Sequence, residues 1–104
     1  MLKKMIWKEE IAETMRVNGK RVVSRLEEIY QCGKREDGTF TRMAFSAEDV
    51  KGRKLFASWA ENLGMTCRID EAGNLICRMS GQDDSLPAIL MGSHLDTVPD
   101  GGKY

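Results

Sequence analysis

Several features that would point to a partner or a compartment are scarce in this sequence. Sixteen basic residues balance sixteen acidic ones, so the net charge at neutral pH is zero. A chain without charge bias has no electrostatic reason to bind nucleic acid or an anionic membrane, and neither is expected as a partner. Long apolar runs are missing as well. The longest near-apolar stretch, Pro87 to Gly92, is far too short to span a bilayer. The opening MLKKMIWKEE has basic residues with no apolar segment behind them, and does not read as a secretory leader. The three cysteines, Cys32, Cys67 and Cys77, are an odd number without CxxC spacing. That argues against a zinc ribbon or a disulfide scaffold and makes a reducing cytoplasm the expected location. There is one histidine, His94. Zinc usually takes three or four protein ligands, so a single histidine cannot make a metal site.

What is present is the make-up of one small globular domain, with 104 residues, 41% hydrophobic and 31% charged. A chain this short buries only a modest core. Residues 2–16 carry Ile6, Trp7, Ile11 and Met15 at helical spacing. Asn18-Gly19 interrupts them, and Asn18 suits the N-cap of a second helix with Val22, Leu26, Ile29 and Tyr30 on one face. That helix is expected to fray near Gly33, and the polar KREDGTFT of residues 34–41 reads as a surface loop. Ser46-Ala-Glu-Asp49 has a capping hydroxyl and two carboxylates for the positive end of a helix dipole. The helix it opens carries Val50, Phe56, Ala57, Trp59, Ala60 and Leu63, and Gly64 stands where a left-handed terminator belongs. Phe56, Trp59 and Met15 are expected in the core. Asp83, Asp84 and Asp100 are expected as solvated loop carboxylates.

Residues 65–79 change to a period of two. Glu71-Ala72-Gly73 fits a three-residue hairpin loop with Gly73 left-handed, which pairs Asp70 with Asn74. The same register sets Ile69 opposite Leu75, Cys67 opposite Cys77 and Met65 opposite Met79, all on one face. A slip of one residue would scatter them, so the pattern selects the register. Pro87 to Ser93 is apolar at successive positions, as expected of an interior strand covered on both faces. Helices, then a hairpin, then a buried strand predict an α/β fold, the opening of a larger sheet domain.

His94 follows that expected strand directly, in GSHLDTVPDGGKY, and loops beyond the carboxyl ends of strands are where open α/β folds bind ligands. Asp96 is two residues on. A carboxylate that accepts the N–H of one ring nitrogen fixes the tautomer and frees the other nitrogen for a metal. Gly92, Gly101 and Gly102 permit tight turns around such a site. His-x-Asp alone reads as an ordinary surface or core hydrogen bond, and its place after an expected buried strand, in a Gly-rich loop, makes a metal ligand an equally good reading. Cys67 and Cys77 read as small apolar hairpin residues rather than further ligands.

At GSHLDTVPDGGKY the chain resembles the carbamoylase and allantoate amidohydrolase family, the hydantoinase/carbamoylase-type amidases, within the aminoacylase-like superfamily of two-metal hydrolases. The resemblance extends over about residues 18–104. Asn18-Gly-Lys-Arg21 looks like the family's helix opening, and Thr41-Arg-Met-Ala-Phe-Ser46 with Glu48-Asp49 like its second landmark. Trp59 and Gly64 fit the helix that follows, Asp70-Glu-Ala-Gly-Asn74 the hairpin, and the His94 loop the first metal motif.

The resemblance implies a zinc-exopeptidase-like mixed sheet of which this chain forms the truncated beginning. Residues 1–17 would be an N-terminal helical segment and residues 18–104 part of the catalytic domain, without the lid and dimerisation domain. It implies that His94 is a metal ligand and that Asp96, behind it, orients the ring. In the family the bridging aspartate comes directly after the position of Tyr104, and the general-base glutamate, other ligands and substrate-binding arginine lie further on. A full-length relative would bind two divalent ions, zinc or manganese. It would hydrolyse linear C–N amide bonds of N-carbamoyl or ureido substrates. This chain is therefore expected to hold no metal stably, to be inactive alone, and to form homo-oligomers. The alternatives are a non-catalytic oligomerising fragment, or a relative acting on peptides or acyl-amino acids.

Overall fold

The computed structural model describes residues 15–104. The helix expected over residues 2–16 lies outside them, except for its end. There Met15, expected in the core, is exposed.

Helix α1, Gly19–Tyr30, starts where Asn18 accepts a hydrogen bond from the Arg21 amide at 3.0 Å. This satisfies one of the amide donors that every helix start leaves open. The chain then turns through Gly33, whose φ of +130° favours glycine and where a Cβ would stand 2.7 Å from the Thr41 carbonyl oxygen. Lys34 and Phe40 form an isolated antiparallel bridge. Asp37 closes the turn between them by accepting from the Thr39 amide and hydroxyl, at 2.9 and 2.6 Å. The stretch expected as a surface loop thus ends by delivering Phe40 to the interior. There it is buried, with its ring centroid 5.0 Å from that of Tyr30.

Helix α2, Ala47–Asn62, has the expected Ser46 cap and ends before Gly64, at φ +84°. Its apolar residues are not swept to one side. Its buried positions are Asp49, Gly52 and Ala60, while Phe56 is exposed and Trp59 only half-buried, under the guanidinium of Arg25. Phe56 and Trp59 are therefore not the core anchors that the sequence suggested. The described elements present too little surface to cover them, and among the described residues only Phe40 and Ala60 count as buried hydrophobic residues.

Strands β1, Thr66–Ile69, and β2, Leu75–Arg78, pair antiparallel in the expected register, Cys67 with Cys77 and Ile69 with Leu75. The ladder stops at Thr66–Arg78, and the Met65 amide donates to the Ala60 carbonyl instead. Asp70 builds the turn, with Oδ1 accepting from the Ala72 and Asn74 amides and Oδ2 from the Asn74 side chain. Gly73, at φ +86°, takes the left-handed place. Arg68 and Arg78 face outward, and Cys67, Leu75 and Cys77 are half-buried. Ile69 is still 64% exposed, so α2 covers only part of the inner face. Arg53 of α2 pins the turn by donating to Asp49 Oδ2 at 3.0 Å and to the Gly73 carbonyl.

The expected third strand is corrected. Residues 87–93 make no ladder, and Ile89, Leu90 and Met91 are each close to 90% exposed. A strand needs a neighbour to hydrogen-bond, and among the described residues β1 and β2 pair only with each other in a two-stranded sheet. The described residues therefore form a small α/β unit of two helices and one hairpin. No helix among them is long and apolar enough to cross a membrane.

Candidate functional site around His94

The extended segment is exposed up to His94, but the three residues beyond it are half-buried. The cause is Arg42, itself only 6% exposed. Its Nε donates to the Leu95 carbonyl at 2.7 Å, and its Nη1 donates to the Ile29 and Cys32 carbonyls at 2.8 and 3.0 Å. A guanidinium cannot give up its proton in this setting and offers five donors in a fixed fork, so it can join backbone oxygens from separate segments. One of these oxygens, Ile29 O, belongs to the last turn of α1 and another, Cys32 O, to the turn just after it, where a cation is favoured by the helix dipole. Burial lowers the Arg42 pKa, opposed by Cys32, Asp49 and Asp96. Its stem passes the Cα of Gly52, where a Cβ would meet Arg42 Cδ at 3.2 Å.

The backbone completes this attachment. Arg42 and Thr97 exchange hydrogen bonds, Arg42 N to Thr97 Oγ1 at 2.9 Å and Thr97 N to Arg42 O at 2.8 Å. The Asp100 amide donates to Thr41 Oγ1 at 3.0 Å. Further on, Lys103 pairs with Glu27 of α1 and lies over the Tyr30 ring, 5.3 Å from its centroid. That ion pair lowers the Glu27 pKa and raises that of Lys103. Residues 95–103 are thereby held against α1 and the Thr41–Arg42 segment.

His94 stands at the edge of this attached loop, with its side chain 79% exposed. Its Nδ1 is 2.8 Å from the Asp96 carbonyl oxygen and 3.2 Å from Asp96 Oδ1. A carbonyl oxygen can only accept, so in the neutral ring this contact puts the proton on Nδ1 and the lone pair on Nε2. The sequence anticipated the pairing of His94 with Asp96 through the carboxylate. The shorter contact is to the backbone of the same residue. Asp100 is exposed, with φ +52°, and Asp83 and Asp84 are exposed, as expected of loop carboxylates.

Among the described residues, no three histidine, cysteine, aspartate or glutamate side chains come together in a way that could hold a metal ion. His94 offers one lone pair and Asp96 one partly exposed carboxylate, and Cys67 and Cys77 lie against each other in the hairpin. This donor set does not by itself fit a two-ion centre. Sequence reasoning placed Arg42 in a landmark without giving it a role. An arginine between Phe40 and Met43-Ala44-Phe45 was the available sign of a buried cation.

No family model matches the chain. It is similar to the N-carbamoyl-L-amino-acid amidohydrolase of Pseudomonas sp. (strain NS671), 36% identical over 92 residues, 88% of this chain and 22% of the relative. It is 40% identical over 88 residues to the enzyme of that name from Geobacillus stearothermophilus, covering 85% of this chain and 22% of the relative. It is also 32% identical over 83 residues to the allantoate amidohydrolase of Bacillus subtilis (strain 168), covering 80% and 20%. Among solved structures, a hydantoinase/carbamoylase family amidase from Burkholderia ambifaria superimposes with a TM-score of 0.81 at 38% identity, covering 86% of this chain and 22% of that one. The chain spans about a fifth of the length of the curated relatives it matches.

Proposed function

This chain belongs to the hydantoinase/carbamoylase family of amidases, and from that premise we propose that it forms part of a hydrolase cleaving linear C–N amide bonds of N-carbamoyl amino acids or of ureido compounds such as allantoate. The observation that carries the reading is the position of the His94 ring, with Nδ1 beside the Asp96 carbonyl. Its Nδ1–H is committed to Asp96, so the nitrogen left as a base is Nε2, on an exposed ring at the edge of a pinned loop. That is the arrangement a histidine ligand needs, because the partner of one nitrogen decides which way the other is presented. In the whole protein His94 would be one ligand of a pair of divalent ions, zinc or manganese, and Asp96 the residue orienting it. Residues 18–104 would contribute the beginning of a mixed sheet in the catalytic domain. Alone, the 104-residue chain would hold no metal stably and hydrolyse nothing. We also assign it to the cytoplasm.

A graft tests this. The matching segment of the Geobacillus stearothermophilus relative is replaced by residues 18–104 of this chain, and hydrolysis of an N-carbamoyl-L-amino acid is measured together with bound metal. The graft is expected to be active, with His94→Ala removing activity and lowering the metal content. A folded graft whose His94→Ala variant keeps full activity and metal would overturn the assignment. The isolated chain should release no ammonia from the same substrate.

A second reading is favoured by Leu86, Ile89, Leu90 and Met91, all exposed on an unpaired extended segment. Such a segment is a template for pairing with another chain. On this reading the 104-residue chain is a self-associating, non-catalytic unit. Sedimentation as a compact monomer at high concentration would rule out self-association on either reading.

A further inference from the structure

The hairpin has a feature that the amidase reading does not use. In its turn, Gly73 N donates to Asp70 O and Asp70 N donates to Asn74 O. Counting outward from that hydrogen-bonded pair, Ile69–Leu75 is a non-hydrogen-bonded pair, Arg68–Ile76 a hydrogen-bonded one, and Cys67–Cys77 again non-hydrogen-bonded. In non-hydrogen-bonded antiparallel pairs the Cα atoms approach to about 4.5 Å and the side chains lie closest. That spacing falls within the range a disulfide spans, about 4.4–6.8 Å between Cα atoms. Cys67 and Cys77 are both free and half-buried, with their sulfurs in contact at 2.8 Å. Cys32, the third thiol, lies in the turn after α1.

We propose that Cys67 and Cys77 are an oxidative modification site, a thiol pair that forms an intrahairpin disulfide by exchange with a small-molecule disulfide such as oxidised glutathione. In the first step the Cys67 thiol loses its proton to solvent and its thiolate attacks one glutathione sulfur. The protein–glutathione bond forms, the glutathione S–S bond breaks, and one glutathione thiolate leaves. In the second step Cys77 loses its proton and attacks the Cys67 sulfur, releasing the second glutathione. Two protein thiols and one oxidised glutathione give one protein disulfide and two reduced glutathiones, so two electrons pass to the glutathione. The order follows from surroundings. Burial first, and then the Cys67 sulfur, push the Cys77 thiol up to about 11, which makes it the poorer initial attacker. Once Cys67 carries glutathione, its thiol no longer opposes ionisation of Cys77.

The consequence is local. The bond would close a short loop around the Asp70–Asn74 turn and fasten β1 to β2 without moving either. Hairpin opening would then fall on the order of a hundredfold, from the loop-closure entropy removed. The turn is already tied to α2 through Arg53, so oxidation would stiffen the surface that α2 and the hairpin share.

The test is equilibration of the 104-residue chain in glutathione buffers from reducing to oxidising, followed by acid quench, alkylation and peptide mass mapping. The expected product at the oxidising end is a Cys67–Cys77 bridge with Cys32 alkylated and no retained glutathione. Exchange of the Arg68 and Ile76 amides should slow about a hundredfold on oxidation. Cys77→Ser should accumulate glutathione on Cys67, and Cys67→Ser should acquire it more slowly on Cys77, because burial, the larger cause of its raised pKa, remains. The proposal fails if Cys67 and Cys77 stay reduced throughout, if bridging involves Cys32, or if the wild-type chain retains glutathione without closing the bond.

Discussion

Replacing Arg42 with methionine isolates what holds the His94 loop. Methionine keeps an unbranched stem of similar length past Gly52, so lost packing is minimised and the lost polar contacts dominate. Three side-chain hydrogen bonds disappear, to Leu95 O, Ile29 O and Cys32 O. Hydrogen bonds from a charged donor contribute about 1.5–3 kcal/mol each, but the three share one group and the carbonyls partly recover water. The expected loss is therefore about 3–5 kcal/mol, a large part of the 5–15 kcal/mol that holds a domain folded. Urea denaturation measures the total, and in a melt the loss corresponds to a fall of more than about 12 °C. Arg42→Lys should recover less than half, because an ammonium cannot reach carbonyls on both α1 and the loop from one position. Amide exchange locates the effect. Thr97 and Asp100, which bond to Arg42 O and Thr41 Oγ1, should lose protection before the hairpin does. A loss below about 1 kcal/mol, with Thr97 still protected, would refute the role given to Arg42.

Ser46→Ala should cost about 1 kcal/mol by chemical denaturation, because the Ser46 hydroxyl accepts from the Asp49 amide at the start of α2. Gly73→Ala should cost about 1–2 kcal/mol, from a left-handed backbone and a Cβ only 3.0 Å from the Phe45 ring, and should weaken the Ile69–Leu75 pairing in amide exchange. Asp70 titrates below its ordinary 3.8, chiefly because the Asn74 side chain and amide bond to its ionised form. A lowered carboxylate contributes stability that is present above the ordinary value and lost as pH falls through the folded one. The turn should therefore stay closed at neutral pH and loosen only in acid below 3.8, seen as a Asp70 carboxyl midpoint below that value by NMR.

What was legible in the sequence was what neighbours along the chain decide. Asn18 and Ser46 cap the helices because a short polar side chain reaches an amide three residues on. The hairpin register follows from three loop residues with Gly73 among them and from alternation on both arms. What depended on distant partners was not legible. A strand at residues 87–93 was inferred from apolar content, but an apolar run becomes a strand only beside a partner, and the described residues supply none. The burial of Phe40 and Arg42 rests on contacts that include one spanning 53 positions, to Leu95, and no local pattern encodes it. The association of His94 with Asp96 was visible from their spacing. That the backbone carbonyl of Asp96 makes the shorter contact depends on a loop shape set by Arg42, Thr97 and Thr41.

The role proposed for His94 turns on which of its ring nitrogens carries the proton. Long-range nitrogen–proton NMR on the 15N-labelled chain, at a pH where the ring is neutral, reads this directly. Free neutral imidazole side chains in water favour the proton on Nε2. The bond to the Asp96 carbonyl predicts the opposite, with Nδ1 protonated and Nε2 showing the shift of a lone-pair nitrogen, and predicts that Arg42→Met moves the balance back toward the free pattern. A majority of Nε2–H in the wild-type chain would contradict the account, because the nitrogen presented outward would then be unable to bind a metal.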